Sequence, residues 1–231
     1  MNTPFTGFPA AGTQFLRELA QHNEKPWFEA NRQRYLSDVQ TPALTLVIAL
    51  GERLQAEFPE IRVDTRTNGS GSLMRIHRDV RFSADKSPYK TNVAMMFTAG
   101  GMKKMASPGF GLQITPDLVD LMAGTFGFSK EMLERYRAAV LNDRLGTALD
   151  AAAAKVRAAG AYTIAGETYR RVPNGLPVHH PRAAWLKYTG LHAYAPSIPL
   201  EIAATPALVD AVMTHFVAMS PLYEWLREVM G

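Results

Sequence analysis

The sequence contains no cysteine. That absence excludes disulfides, thiolate metal sites and cysteine nucleophiles, and it accords with a reducing cytoplasm. Long apolar runs are missing too. The strongest, ALTLVIAL at residues 43–50, is far too short to cross a bilayer. MNTPFTGFPAAGTQFL at the start lacks the basic residues and continuous apolar stretch of a signal peptide. The expectation is a soluble, cytoplasmic protein with no membrane partner. No G-x-x-x-x-G-K-[ST] loop, G-x-G-x-x-G fingerprint or G-x-S-x-G elbow occurs. His179-His180 has no acid or further histidine at ligand spacing, so the sequence implies neither a metal nor a cofactor.

What is present is an ordinary globular balance: 231 residues, 47% apolar and 20% charged. That length buries a core without staples. The formal charge of +4 is unevenly spread. Nine Lys/Arg against three acids between Arg62 and Lys104 give a local +6, so the rest of the chain sums to −2. A second, acid-free stretch from Thr168 to Leu200 carries Arg170, Arg171, Arg182 and Lys187. Two basic segments on a near-neutral protein point to a local anion site rather than a generally sticky surface.

The N-terminal part reads as helix. Phe15, Leu16 and Leu19 form one apolar stripe, and Trp27, Phe28, Asn31 and Tyr35 resume the spacing. Trp27, Asn31 and Tyr35 share a face and read as packing before they read as a stacking platform. Thr41-Pro42, Thr205-Pro206 and Ser220-Pro221 each look like a cap followed by a first-turn proline, the first opening a helix to about Phe58. In the middle the period changes to two. Ile61, Val63 and Thr65 alternate with Arg62, Asp64 and Arg66, and NGSG at 68–71 is a turn signal. Met74, Ile76, Val80 and Phe82 then fall on one face of a second strand, and Arg75, His77, Asp79 and Arg81 on the other. Further strands are expected around Val93–Phe97, Phe110–Ile114 and up to Gly124, joined by a mobile AGGMKKMASPG loop. Helices return after Ser129, an alanine-rich one stopping at Gly160, and residues 162–199 read as irregular. The whole, residues 1–231, is expected to be a single α+β domain. A largely antiparallel sheet over about residues 61–124 is flanked by N- and C-terminal helices.

The most informative stretch is RIHRDVRFSADKSPYKTN at 75–92, with five full cations and a histidine against two acids. On a strand, Arg75, His77 and Arg81 would project together with Asp79 between them. Arginine forks match phosphate or carboxylate oxygens. Pro88 stiffens the turn presenting Lys86, Tyr89 and Lys90. Arg78 falls on the apolar face and needs a carboxylate such as Asp85. The plainer reading makes Asp79 and Asp85 the neutralising members of a folding network.

The same stretch matches R-x-x-R-D-x-R-F-x-x-x-K-x-P-Y at Arg75, Arg78, Asp79, Arg81, Phe82, Lys86, Pro88 and Tyr89. In this it resembles the bacterial domain-of-unknown-function family 2461. FLRELAQHNEKPWFEANRQRY looks like that family's opening, and RRVPNGLPVHHPRAAWLKYTGL like its basic later segment. The family often carries histidine where this chain has Asn92. The resemblance implies a motif and a length, not a reaction.

Three functions fit these residues. The first is a site for a phosphorylated or carboxylated small molecule. Arg75, Arg81, Lys86, Lys90, Arg171 and Lys187 would hold the anion, Tyr89 would donate to it, and the two basic segments would meet. Arg78, Asp79, Phe82, Asp85 and Pro88 would frame it. If chemistry occurs there, the candidates are His77, Asp79 and Tyr89. Asp79 among cations should be too acidic for a base at neutral pH, which leaves His77 the better one. The second function is nucleic-acid binding, weakened by sparse arginine–aromatic interleaving. The third is a non-catalytic module for a protein's acidic segment.

Overall fold

The structure, a computed structural model, describes residues 4–100 and 107–230. Six residues of the AGGMKKMASPG loop lie outside that range, so the expectation of mobility there falls on residues the structure does not describe. Helix α1 (Ala10–Gln21) buries Phe15, Leu16 and Leu19, the stripe read from the sequence. It is followed by α2 (Lys25–Ala30), by α3 (Arg32–Arg34), a single turn, and by a π-helix (Tyr35–Gln40). The π-helix runs straight into α4 (Thr41–Glu57).

Thr41-Pro42 thus begins the α-helical stretch to Glu57 with proline in its first turn, as expected, but Thr41 is not a cap, because it and the residue before it already have helical dihedrals. Proline has no N–H to give the Asp38 carbonyl four residues back, so a regular α ladder cannot pass this point. Ser220-Pro221, by contrast, is inside a helix, α8 (Leu208–Met230). Of the three expected starts, Thr41-Pro42 and Thr205-Pro206 stand at one, and Ser220-Pro221 does not. Proline before an apolar pattern marks a local break in the ladder as readily as a first turn.

Between the helices lie β1 (Val93–Thr98), β2 (Gly109–Ile114) and β3 (Leu118–Thr125). Two helices follow: α5 (Lys130–Leu141), capped by the Ser129 hydroxyl, and α6 (Asp143–Ala158), capped by the Asn142 side chain. Next come β4 (Thr163–Glu167), a 3-10 turn (Ala183–Lys187), β5 (Tyr188–Tyr194) and β6 (Ile198–Pro199). The chain closes with α7 (Leu200–Ala203) and α8. The fold is α+β. Its six strands form an antiparallel sheet in the order β1-β2-β3-β5-β4, with β6 pairing β3.

The sheet is displaced along the chain from where the alternation put it. Residues 61–82 contribute isolated bridges, while β4 and β5 come from the segment read as irregular. β5 is buried at five of its seven positions, so it carries no two-residue period to read. β4 is interrupted by a register shift between Ala165 and Glu167.

Residues cluster into two compact units, each assembled from three segments. The first comprises Met1–Phe97, Gly111–Leu121 and Ser197–Met213. Its core includes Phe8, Phe15, Leu46, Leu50, Phe97, Ile114, Val119, Leu208 and Val212. The second comprises Thr98–Phe110, Met122–Pro196 and Thr214–Gly231. There Phe110 packs on Phe216 and Tyr223, with ring centroids 5.0 and 4.6 Å apart. The buried Tyr136 hydroxyl donates to the Trp185 carbonyl at 3.0 Å.

Candidate anion site

The basic motif lies in the first unit and hangs on two bridges, Leu73 to Met95 and His77 to Tyr89. Backbone bonds fill in the pairing: Met74 N–H to Ala94 O at 2.9 Å, Lys90 N–H to Ile76 O at 2.8 Å, and Arg78 N–H to Pro88 O at 2.9 Å. The bridges are four positions apart on one side and six on the other, so the ladder breaks between them. Arg75 sits in that break, and Lys90 sits beside it.

Tyr89 is fixed from below. The Asn23 side chain donates to its carbonyl and accepts from its N–H, both at 3.0 Å. Its ring stacks on Phe28 at 4.1 Å and lies 5.2 Å from the ring of His77. Only 3% of Tyr89 is exposed, so the structure places it in the core. His77 is exposed at the edge of this cluster. Trp27 and Tyr35 pack against Phe15, at 5.5 and 6.0 Å, as a packing stripe would.

Beyond His77 the expected strand gives way to turns, and the motif's acids cause them. Asp79 Oδ1 accepts from the Arg81 N–H at 3.3 Å, and Asp85 Oδ1 from the Ser87 N–H at 2.9 Å. Asp64 and Asn68 accept from Arg66 and Ser70 N–H groups in the same way, each at 3.0 Å. A side chain that bonds the N–H two residues on diverts the backbone from a ladder. Four such turns explain why residues 61–87 alternate in sequence without forming strands. Gly69, with φ of +90°, completes the NGSG turn.

Asp79 and Arg81 form a closed unit. The guanidinium also gives Nε to Oδ1 at 2.9 Å and Nη2 to Oδ2 at 2.6 Å. Asp64 and Arg66 repeat that arrangement, at 3.0 and 2.6 Å. D-T-R and D-V-R are thus one local device used twice, once outside the motif. Arg81 holds Asp79 near pKa 2, well under the usual carboxylate value. Arg78 pairs with Asp85, as its need for a carboxylate implied, and the Ser87 side chain and N–H, together with Arg78, keep that acid strongly ionised. Lys86 donates to the Val80 carbonyl at 3.0 Å.

Phe82 corrects the strand reading most plainly. It is 96% exposed, with the Arg81 guanidinium 5.8 Å from its ring centre, because the turn at Asp79 swings it out of the apolar face.

Two cations of the motif remain. Among the described residues neither Arg75 nor Lys90 has a side-chain hydrogen bond or ion pair, although Asp79 feels the charge of Arg75. Lys90 is half-buried, and burial together with Arg75 pulls its pKa below the ordinary lysine value.

The second basic segment lies in the other unit. Lys187 is bound by Glu167 at 2.6 Å. Arg182 donates to the Val140 carbonyl at 2.8 Å and reaches Asp143 at 3.3 Å, bracing the junction of α5 and α6. Arg170 and Arg171 are exposed, without a partner among the described residues. The His180 ring accepts from the Arg182 N–H at 3.1 Å within its loop.

Composition and strand alternation gave no signal for the small pocket beside Arg75. Tyr35, Gln40 and Asn92 are among the residues lining it. The signal in the sequence was Pro42 after a continuous helical pattern, which forces the π-helix that carries two of them. None of the described helices is long and apolar enough to cross a membrane. No curated protein matches the chain. The family described as Conserved hypothetical protein (DUF2461) matches residues 11–225, and the chain belongs to it.

Proposed function

We propose that the protein binds a small anionic molecule, through a phosphate or a carboxylate, at Arg75 and Lys90. The observation that carries this reading is the half-buried Lys90 set against Arg75, with no acid hydrogen-bonded or ion-paired to either among the described residues. Holding like charges together is unfavourable, and an anion between them relieves both the repulsion and the desolvation. Arg78 and Arg81 are neutralised by the motif's own acids and Lys86 is held by the Val80 carbonyl, which leaves two of the motif's five cations. The same neutralisation disfavours a nucleic-acid reading, which needs a row of free cations along a backbone.

Titration calorimetry with inorganic phosphate and a panel of carboxylates tests the proposal. Arg75→Met should weaken binding at least ~10-fold, the loss of a charge-assisted hydrogen bond of about 1.5–3 kcal/mol. Arg81→Met should leave affinity within about twofold. Equal losses from both substitutions, or no binding at low salt, would sink the assignment.

A further inference from the structure

Two separate features of the backbone bring Lys90 and Arg75 together. The Lys90 N–H bonds the Ile76 carbonyl at 2.8 Å, which seats Lys90 opposite the residue that follows Arg75. The stem of Arg75 lies against the NGSG turn, where a Cβ added at Gly69 would stand 3.2 Å from the Arg75 Cβ and 3.3 Å from its Cγ and Cδ. Lys90 is half-buried, and its side chain has no hydrogen bond or ion pair among the described residues. Burial first, and Arg75 second, favour its neutral amine over the ammonium. An amine desolvated beside another cation is a nucleophile. The neighbouring Lys86 is different, being exposed and held by the Val80 carbonyl at 3.0 Å.

From this juxtaposition we propose that Lys90 is a modification site, where its amine takes up carbon dioxide as a carbamate and Arg75 holds the carboxylate so formed. The proposal rests on the anion reading above and supplies that anion from the chain's own lysine. The Nζ lone pair forms a bond to the carbon of carbon dioxide, and one C=O π pair moves onto oxygen. The nitrogen then loses a proton to water, so amine and carbon dioxide become carbamate and one proton, with nothing oxidised or reduced. Three features select this chemistry. A cation set against a cation becomes an anion set against a cation, with no acid drawn from elsewhere in the chain. The guanidinium fork matches a planar carboxylate through two parallel bonds, and Arg75 keeps that fork because Asp79 is taken by Arg81 and Asp85 by Arg78. The carboxylate grows on Nζ itself, so no cavity for a ligand skeleton is needed, and an uncharged reactant reaches a half-buried amine without the desolvation cost of an ion.

Chemical trapping on the full chain decides the matter. The protein is equilibrated with carbon dioxide and bicarbonate, then treated with triethyloxonium, which converts a carbamate to a stable ethyl ester that peptide mass mapping locates. A short lysine-free peptide with a free α-amine, added to the same sample, is the positive control. In the unaltered protein Lys90 should carry the adduct, and Lys86, Lys130, Lys155 and Lys187 should not, a readout that does not depend on a variant folding. Arg75→Met should cut the occupancy of Lys90 at least ~10-fold, the loss of a charge-assisted bond to a carboxylate, while Arg81→Met should leave it within about twofold. A bare Lys90, adducts spread evenly over the lysines, or an adduct undiminished by Arg75→Met would overturn the carbamate. Phosphate binding that still needs Arg75 would, in that event, leave the anion reading standing. An adduct confined to Lys90, with no phosphate or carboxylate bound in calorimetry, would overturn the external anion and keep the carbamate.

Discussion

Arg75, Arg78 and Arg81 lie within seven residues and serve three different ends. Arg78 ties Asp85 into the turn with 27% of its side chain exposed, while Arg81 closes a local loop with 76% exposed. Arg78→Met should therefore lower the melting temperature more than Arg81→Met, and Arg75→Met should scarcely move it; three equal shifts in a thermal melt would mean one shared network. The loss at Arg78 stays short of that for a fully buried pair, because Asp85 is 60% exposed and water solvates it when its partner goes. Acid should act on the same residues. Asp79 is more acidic folded than unfolded, so the stability it adds is complete above its ordinary value of 3.8 and fades as pH falls toward 2. Asp79→Asn should shrink the drop in melting temperature across that window; an unchanged acid profile would contradict the assignment. The need of Arg78 for a carboxylate was legible in the sequence, since a guanidinium among apolar residues has few alternatives. The closure of Asp79 on Arg81 was hidden, because alternation assumes a backbone ladder, and Asp-x-Arg spacing competes with that ladder.

Helices were the legible elements. α1, α5 and α6 each combine an apolar stripe with a clear stop, and in α5 and α6 a polar cap fixes the first turn. The π-helix was legible only in part, because Pro42 marks a break in the ladder while the packing around that break is tertiary. Gly12 on α1 packs directly against the Asp38 carbonyl, to which Pro42 has no N–H to give. A Cβ at Gly12 would overlap that oxygen. Gly12→Ala therefore sets two effects against each other. Alanine favours helix by ~1 kcal/mol, and overpacking costs roughly 1–3 kcal/mol. The obstacle is backbone held inside a helix and cannot rotate away, so the overlap should win. Denaturant titration should show a net loss of stability, and a gain would mean that the two helices separate easily.

At the scale of the whole chain, the order of residues and the grouping of the core do not coincide. The first unit draws on three stretches separated by parts of the second. Residues 1–97 hold the five N-terminal helical segments, β1 up to Phe97 and the entire basic motif. They lack Leu112, Ile114, Val119 and Leu121 from the middle of the chain and Leu208 and Val212 from near its end, all buried in that unit's core. Losing a buried leucine side chain alone costs about 2–5 kcal/mol, against a total stability of roughly 5–15 kcal/mol for a domain. Six such residues cannot be spared. A fragment of residues 1–97 should accordingly show no cooperative melt and should fail to bind phosphate, although it contains Arg75 and Lys90. In the full chain, Leu50→Ala, far from the motif in sequence and fully buried, should lower stability by about 2–5 kcal/mol with ligand affinity unchanged at temperatures where the variant stays folded. A fragment that melted cooperatively and bound anions would show that the motif and the N-terminal helices form an independent module, and that the later strands and helices serve some other end.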